Sequence, residues 1–140
     1  MRELRKNEIV FANAGHFASI AVISPTTGLP HVTTVWTYYD QGKFYVITRK
    51  HRAKYKFIMK GSTKIGINIH PGKGFPYLSV NGFAKIRDEN NKDDFWELIE
   101  KIVKLYNPSA TAQENWLTQM KEAGDRVLIE LDPENVYSSV

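Results

Sequence analysis

The stretch Phe44-Tyr45-Val46-Ile47-Thr48-Arg49-Lys50-His51-Arg52-Ala53-Lys54-Tyr55-Lys56 changes character half-way along. Its first part is apolar and rich in aromatic and β-branched residues, which is strand composition. From His51 to Lys60 the β pattern stops. Tyr55, Ile58 and Met59 then lie at i, i+3, i+4, so a short helix is expected, stopped by Gly61. The turn between strand and helix carries Arg49, Arg52 and Lys54, and nothing acidic stands near them in sequence. Free backbone N–H groups at a helix start, with arginine forks and a lysine point charge beside them, suit an anion.

Outward from this stretch the chain reads as alternating strands. Phe17–Ser24 is apolar, Pro25–Gly28 is a turn, and Leu29–Tyr39 alternates with Val, Thr, Trp and Tyr. Asp40–Lys43 makes a hairpin into the strand Lys43–Thr48. Thr63–His70 places Ile65, Ile67 and Ile69 on one face, and Tyr77–Arg87 follows after a Pro- and Gly-rich loop. Gly82 inside that strand signals a bulge or a close backbone approach. A short helix is expected near Glu3–Asn13. Another opens at Asn91, with Phe95, Leu98, Ile99, Ile102, Val103 and Tyr106 on one face. Thr111 and Glu114 have capping-box spacing for a fourth helix, ended by Gly124, and Arg126–Leu131 is the last strand. About six strands joined mostly by short hairpins predict an α+β fold, a mainly antiparallel split β-barrel with flanking short helices. With 140 residues and no linker or repeat, residues 1–140 form one domain.

Composition narrows the chemistry. The chain has no cysteine, which excludes disulfides, thiolate metal sites and thiol catalysis. Its four histidines do not pair at ligand spacing, so no metal is expected. No apolar run approaches a membrane span, and no secretory leader is read at the N-terminus, so a cytoplasmic location is expected. The net charge is +4, but its distribution is uneven. Between Gln41 and Arg87 there are eleven basic residues and no acidic one, which points to an anionic partner for that segment. There is no phosphate-loop, dinucleotide or nucleophile-elbow motif. No catalytic residue is assigned.

Several strings in order resemble the pyridoxamine 5′-phosphate oxidase-like flavin-binding split-barrel family. They are Gly28-Leu-Pro-His-Val-Thr-Thr-Val-Trp36, then Phe44–Thr48 followed by Arg52-Ala53-Lys54, then Leu78-Ser-Val-Asn-Gly-Phe-Ala-Lys-Ile86, and last Arg126-Val-Leu-Ile-Glu-Leu-Asp-Pro-Glu-Asn-Val136. The resemblance implies a six-stranded split barrel, a homodimer with FMN in grooves between subunits, and a small-molecule redox substrate. It places Arg52 and Lys54 on the cofactor phosphate, with Arg49 beside them, and Thr48 near the ring's pyrimidine edge or ribityl chain. Thr33, Thr34, Val35 and Trp36 would line the ring. Tyr77 would reach the same groove, and Trp116 would cover the ring from the partner subunit. On the strand, Thr33 and Val35 are expected to face the cofactor, with Thr34 and Trp36 contributing backbone and bulky Val32 and Trp36 turned to the interior.

Three departures bear on function. Thr34 stands where many relatives have proline, and Arg52 where many have a small hydroxyl residue. The Arg-x-His-x-Arg element of true pyridoxine phosphate oxidases is missing, so vitamin B6 oxidation is not assigned. The alternative cofactor is the 8-hydroxy-5-deazaflavin coenzyme, whose anionic tail would suit Lys50, Lys56 and Lys60. A non-catalytic flavin or haem carrier, or a nucleic-acid-binding barrel suggested by the basic strands, are the weaker readings.

Overall fold

The structure, a computed structural model, describes residues 2–140. Its elements run α1 (Lys6–Ala12), β1 (Phe17–Ile23), β2 (Pro30–Val35), β3 (Thr37–Asp40), β4 (Lys43–Arg49), α2 (Ala53–Met59), β5 (Lys64–His70), β6 (Leu78–Arg87), α3 (Phe95–Tyr106), α4 (Ala110–Ala123) and β7 (Arg126–Ser138). The strands form one sheet in the order β2-β1-β5-β6-β7-β4-β3, and every ladder is antiparallel.

The order explains the shape. β2 and β3 are the two edges of the sheet, yet only Trp36 separates them in sequence. One residue cannot span a flat seven-stranded sheet, because strands lie about 4.8 Å apart. The sheet must therefore curl until its edges meet at Trp36, and the fold is the expected α+β split barrel. The strand count is seven where six were expected. The stretch Leu29–Tyr39 alternates unbroken and so predicts a single strand. Its first half pairs with β1 and its second half with β4, so Trp36 is a corner.

The barrel interior takes the inward residues of each strand: Ala18, Ile20 and Val22, Ile65, Ile67 and Ile69, and Phe44 and Val46 with Ile129 and Leu131. A second core lies outside the sheet. There α3 buries Phe95, Leu98, Ile99, Ile102 and Val103 against Tyr45 and Leu128. β4 is thus covered on both faces, which is why Phe44–Ile47 is continuously apolar. The α3 helix begins at Phe95, later than Asn91, because Asn91 caps a turn through Asp88 instead. The cap of α4 is Ser109, whose hydroxyl accepts from Ala112 N at 3.2 Å, and not Thr111.

β7 runs seven residues past its expected end at Leu131, although Asp132-Pro133-Glu134-Asn135 has turn composition. The reason lies on the neighbouring strand. The β6–β7 register shifts between Asn81 and Gly82, where Gly82 faces Pro133. A Cβ on Gly82 would overlap the Asp132 carbonyl and stand 2.9 Å from Glu134 N. The close approach read from Gly82 is therefore present, and it lets the ladder continue past the proline.

Candidate functional site

The corner at Trp36 opens the barrel wall. β3 pairs with β4 as far as Thr37 opposite Val46. Beyond it the chain turns away to pair with β1. Ile47, Thr48 and Arg49 of β4 then keep β7 on one side, and β2 keeps β1. The two edges face each other across a groove of about 460 Å³. Such edges present backbone donors and acceptors that no ladder uses.

At the inner end of the groove α2 sends Lys54 back toward β2. Lys54 is only 8% exposed, and its Nζ donates to Thr33 Oγ1 at 3.2 Å. Among the described residues it has no carboxylate partner. Burial, and then the positive charge of Arg52, hold its pKa below the ordinary lysine value. Thr48 lines the same groove, and its Oγ1 is sealed from solvent with no hydrogen-bond partner among the described residues. A buried cation without a counter-ion and a buried hydroxyl without a partner are both costly. Together they describe a place prepared for an anion with acceptor oxygens. Arg52, exposed at the start of α2, stands over the same end.

The outer wall is aromatic. Trp36 stacks on Tyr106 with ring centroids 5.6 Å apart and planes 9° from parallel, and Trp116 meets Trp36 edge-on at 5.3 Å. Tyr106 is itself fixed, because its hydroxyl donates to the His16 carbonyl at 2.9 Å. Ile47 and Met120 fill the wall below these rings.

The structure brings Thr33, Thr34, Val35, Trp36, Thr48, Arg49, Arg52, Lys54 and Trp116 around this one groove. Tyr77 is the exception: it lies at the far side of the sheet, against Phe75, with its N–H bonded to Ser139. Trp116 walls the groove of its own chain. Thr33 faces Lys54, but Val32 is 61% exposed and does not enter the interior. Arg49 is not free of acidic neighbours, since its Nε donates to Asp125 Oδ2 at 2.8 Å. Arg126, Ile47 and Met120 line the groove and were not anticipated. Only the β4–β7 register, which sets Arg126 directly opposite Arg49, could have signalled Arg126.

A family model described as pyridoxamine 5′-phosphate oxidase matches residues 9–139. The chain belongs to the pyridoxamine 5′-phosphate oxidase family. Solved structures agree on the fold. A conserved hypothetical protein from Mycobacterium tuberculosis superposes with a TM-score of 0.74 at 19% identity, covering 96% of this chain and 83% of that one. An F420 reductase gives 0.68 at 19% identity, covering 98% of each chain. A pyridoxamine 5′-phosphate oxidase-related, FMN-binding protein from Nostoc punctiforme gives 0.64 at 13% identity, covering 93% and 78%. Comparison with curated protein sequences finds no match. An F420 reductase and an FMN-binding protein thus stand among the solved structures that share this chain's fold. In this member of the pyridoxamine 5′-phosphate oxidase family, no carboxylate or imidazole among the described residues lines the groove. What it offers a ligand is cations, hydroxyls, backbone edges and flat rings.

Proposed function

We propose that the protein is an FMN-dependent oxidoreductase that works on a small molecule as a homodimer. The observation that carries this reading is the buried, uncompensated Lys54 beside the partnerless Thr48 hydroxyl. The residues present fit the cofactor. Lys54 and Arg52 would hold the phosphate, and Thr33 and Thr48 would meet polar atoms of the chain or ring edge. Trp36 and Trp116 supply flat apolar faces suited to a ring system. FMN, when bound, supplies the hydride or electron transfer, and the protein supplies binding, orientation and exclusion of water. That division agrees with a groove that holds no acid–base pair.

A homodimer is supported by the outer face of the sheet. Phe17, Ile23, Val32, Phe83 and Tyr137 are exposed there around the small residues Ala21 and Gly66. Large apolar side chains exposed on one face favour cover, and a two-fold pair is the simplest closed arrangement.

A deazaflavin coenzyme is the second reading, favoured by the F420 reductase among the structural neighbours and by Lys50, Lys56 and Lys60 around α2. The absorption spectrum of the purified protein separates the two. A maximum near ~450 nm identifies a flavin and one near ~420 nm a deazaflavin, because the chromophore belongs to the cofactor. Failure to bind either after reconstitution would overturn the reading. Light scattering at 16.1 kDa, the mass of one chain, would overturn the dimer.

A further inference from the structure

Arg49 and Arg126 stand directly opposite each other on neighbouring strands. Like charges in that position repel, so the pair needs a counter-ion. Asp125 provides one: its Oδ2 accepts from Arg49 Nε at 2.8 Å and its Oδ1 from Arg126 Nη1 at 2.7 Å. One carboxylate thus serves two guanidiniums, and one positive charge is left over. His51 is 3.9 Å from the same carboxylate and brings no negative charge.

The donors tell the same story. A guanidinium has five N–H groups, and each arginine gives Asp125 one nitrogen. The Nη groups of Arg49 and the Nε and Nη2 of Arg126 have no other protein partner among the described residues. The Arg126 side chain is 9% exposed, yet none of its atoms is among the sealed, unpartnered ones. Both arginines line the groove. They are also set apart from the phosphate end. Thr48 and Arg49 are consecutive on a strand, so their side chains leave on opposite faces, Thr48 toward Lys54 and Arg49 toward Ile47, Met120 and Trp116.

We propose that Arg49 and Arg126 are a second anion-recognition pair, and that they take the carboxylate of a substrate with a flat, apolar body. The paired forks match a carboxylate, and the adjoining Trp116, Met120 and Ile47 match the body. That the ligand is a substrate rests on the redox reading above. The anion site itself rests only on the arginines and Asp125.

The test uses the full chain with benzoate as probe, followed by tryptophan fluorescence, with and without FMN. Benzoate should bind saturably, and its neutral isostere benzamide roughly tenfold more weakly or worse. Arg49→Gln and Arg126→Gln should each weaken benzoate by about tenfold or more. Arg126→Lys should not restore it, because lysine keeps the charge and loses the fork. Inorganic phosphate should compete poorly; strong competition would make this a phosphate site and overturn the carboxylate assignment. Absent benzoate binding, equal binding of benzamide, or wild-type affinity in both glutamine variants would overturn the proposal. A protein that takes benzoate in this way but no FMN would overturn the cofactor reading and leave this site standing. Should Arg126→Gln fail to fold, the half-exposed Arg49 gives the same decision.

Discussion

Lys54 Nζ and Thr33 Oγ1 meet at 3.2 Å across the split of the barrel. Lys54 sits on the helix that follows β4, and Thr33 on the strand that turns away from β4 at Trp36. The contact therefore ties together the two sides of the opening at its inner end. It also holds a cation in a place that favours none, and the energetics of that placement can be measured.

Lys54→Met should make the ligand-free protein more stable and weaken its hold on the cofactor. The folded-state pKa of Lys54 lies below the ordinary 10.5. Between those two values the unfolded chain holds the proton and the folded chain does not, so stability rises with pH there. Below the folded value both states are charged and the full burial penalty is present. Methionine removes it at neutral pH, for a gain of about 1 kcal/mol, since uncompensated buried charge is replaced by apolar contact. The alkaline rise in stability should flatten in the variant. FMN affinity should fall by roughly 10- to 150-fold, the worth of one charged hydrogen bond. Calorimetry at pH values from neutral to the lysine range and an FMN titration check both halves. A less stable variant would contradict the burial penalty.

Glu8 is the opposite case. Its carboxylate is fully buried and receives both terminal nitrogens of Arg2, at 2.7 and 2.8 Å, and the Arg5 backbone N–H at 2.8 Å. The Arg2 hydrogen bonds, foremost, hold its pKa far below the ordinary 4.5. A depressed carboxylate stabilises the fold above its unfolded pKa, and that contribution is lost as pH falls toward the folded value. The thermal midpoint should drop on acidification below the ordinary glutamate range. Glu8→Gln should lose about 1–3 kcal/mol at pH 7 and show a shallower acid slope, because its amide does not titrate. Parallel acid slopes for the two proteins would remove Glu8 from the account.

Gly82→Ala tests the bulge. The added methyl would overlap the Asp132 carbonyl, which is backbone and has no rotamer to escape into. Either β7 leaves β6 past this point or the ladder shifts. We expect a loss of about 3 kcal/mol or more, at the top of the range for overpacking. Chemical denaturation measures it directly. A variant within about 0.5 kcal/mol of the wild type would mean that the strands part easily here.

What could be read in advance follows from which interactions are local. Phe44–Ile47 and the spacing of Phe95, Leu98, Ile99, Ile102 and Val103 declare their elements because one element's burial writes its own period. The clustering of Thr48, Arg52 and Lys54 at one groove was legible because they are close in sequence. Trp36 as a corner was not, since the alternation through Thr33–Tyr39 is the same whether one sheet edge or two receives it. The extension of β7 was hidden because Gly82, on another strand, makes Pro133 acceptable. Arg126 was hidden for the same reason: its place beside Arg49 exists only in the ladder. Long-range register decided these three, and a single sequence does not state it.

Thr33 and Thr34 should answer the same change to valine differently. Thr33 is half-buried and accepts the Lys54 hydrogen bond, while Thr34 faces solvent. Thr33→Val keeps the shape and leaves the ammonium without its protein acceptor. Despite the better β-propensity of valine, it should destabilise the ligand-free fold by about 1–2 kcal/mol, the cost of an unsatisfied buried donor. Thr34→Val should change stability by less than about 0.5 kcal/mol, as exposed substitutions do. Inorganic phosphate then discriminates further. If it occupies the Lys54 end it replaces the missing acceptor, so saturating phosphate should raise the thermal midpoint of Thr33→Val by more than that of Thr34→Val. Equal midpoints for the two variants without phosphate would show that the contact between Lys54 and Thr33 carries no weight. Equal shifts with phosphate would place the anion elsewhere in the groove.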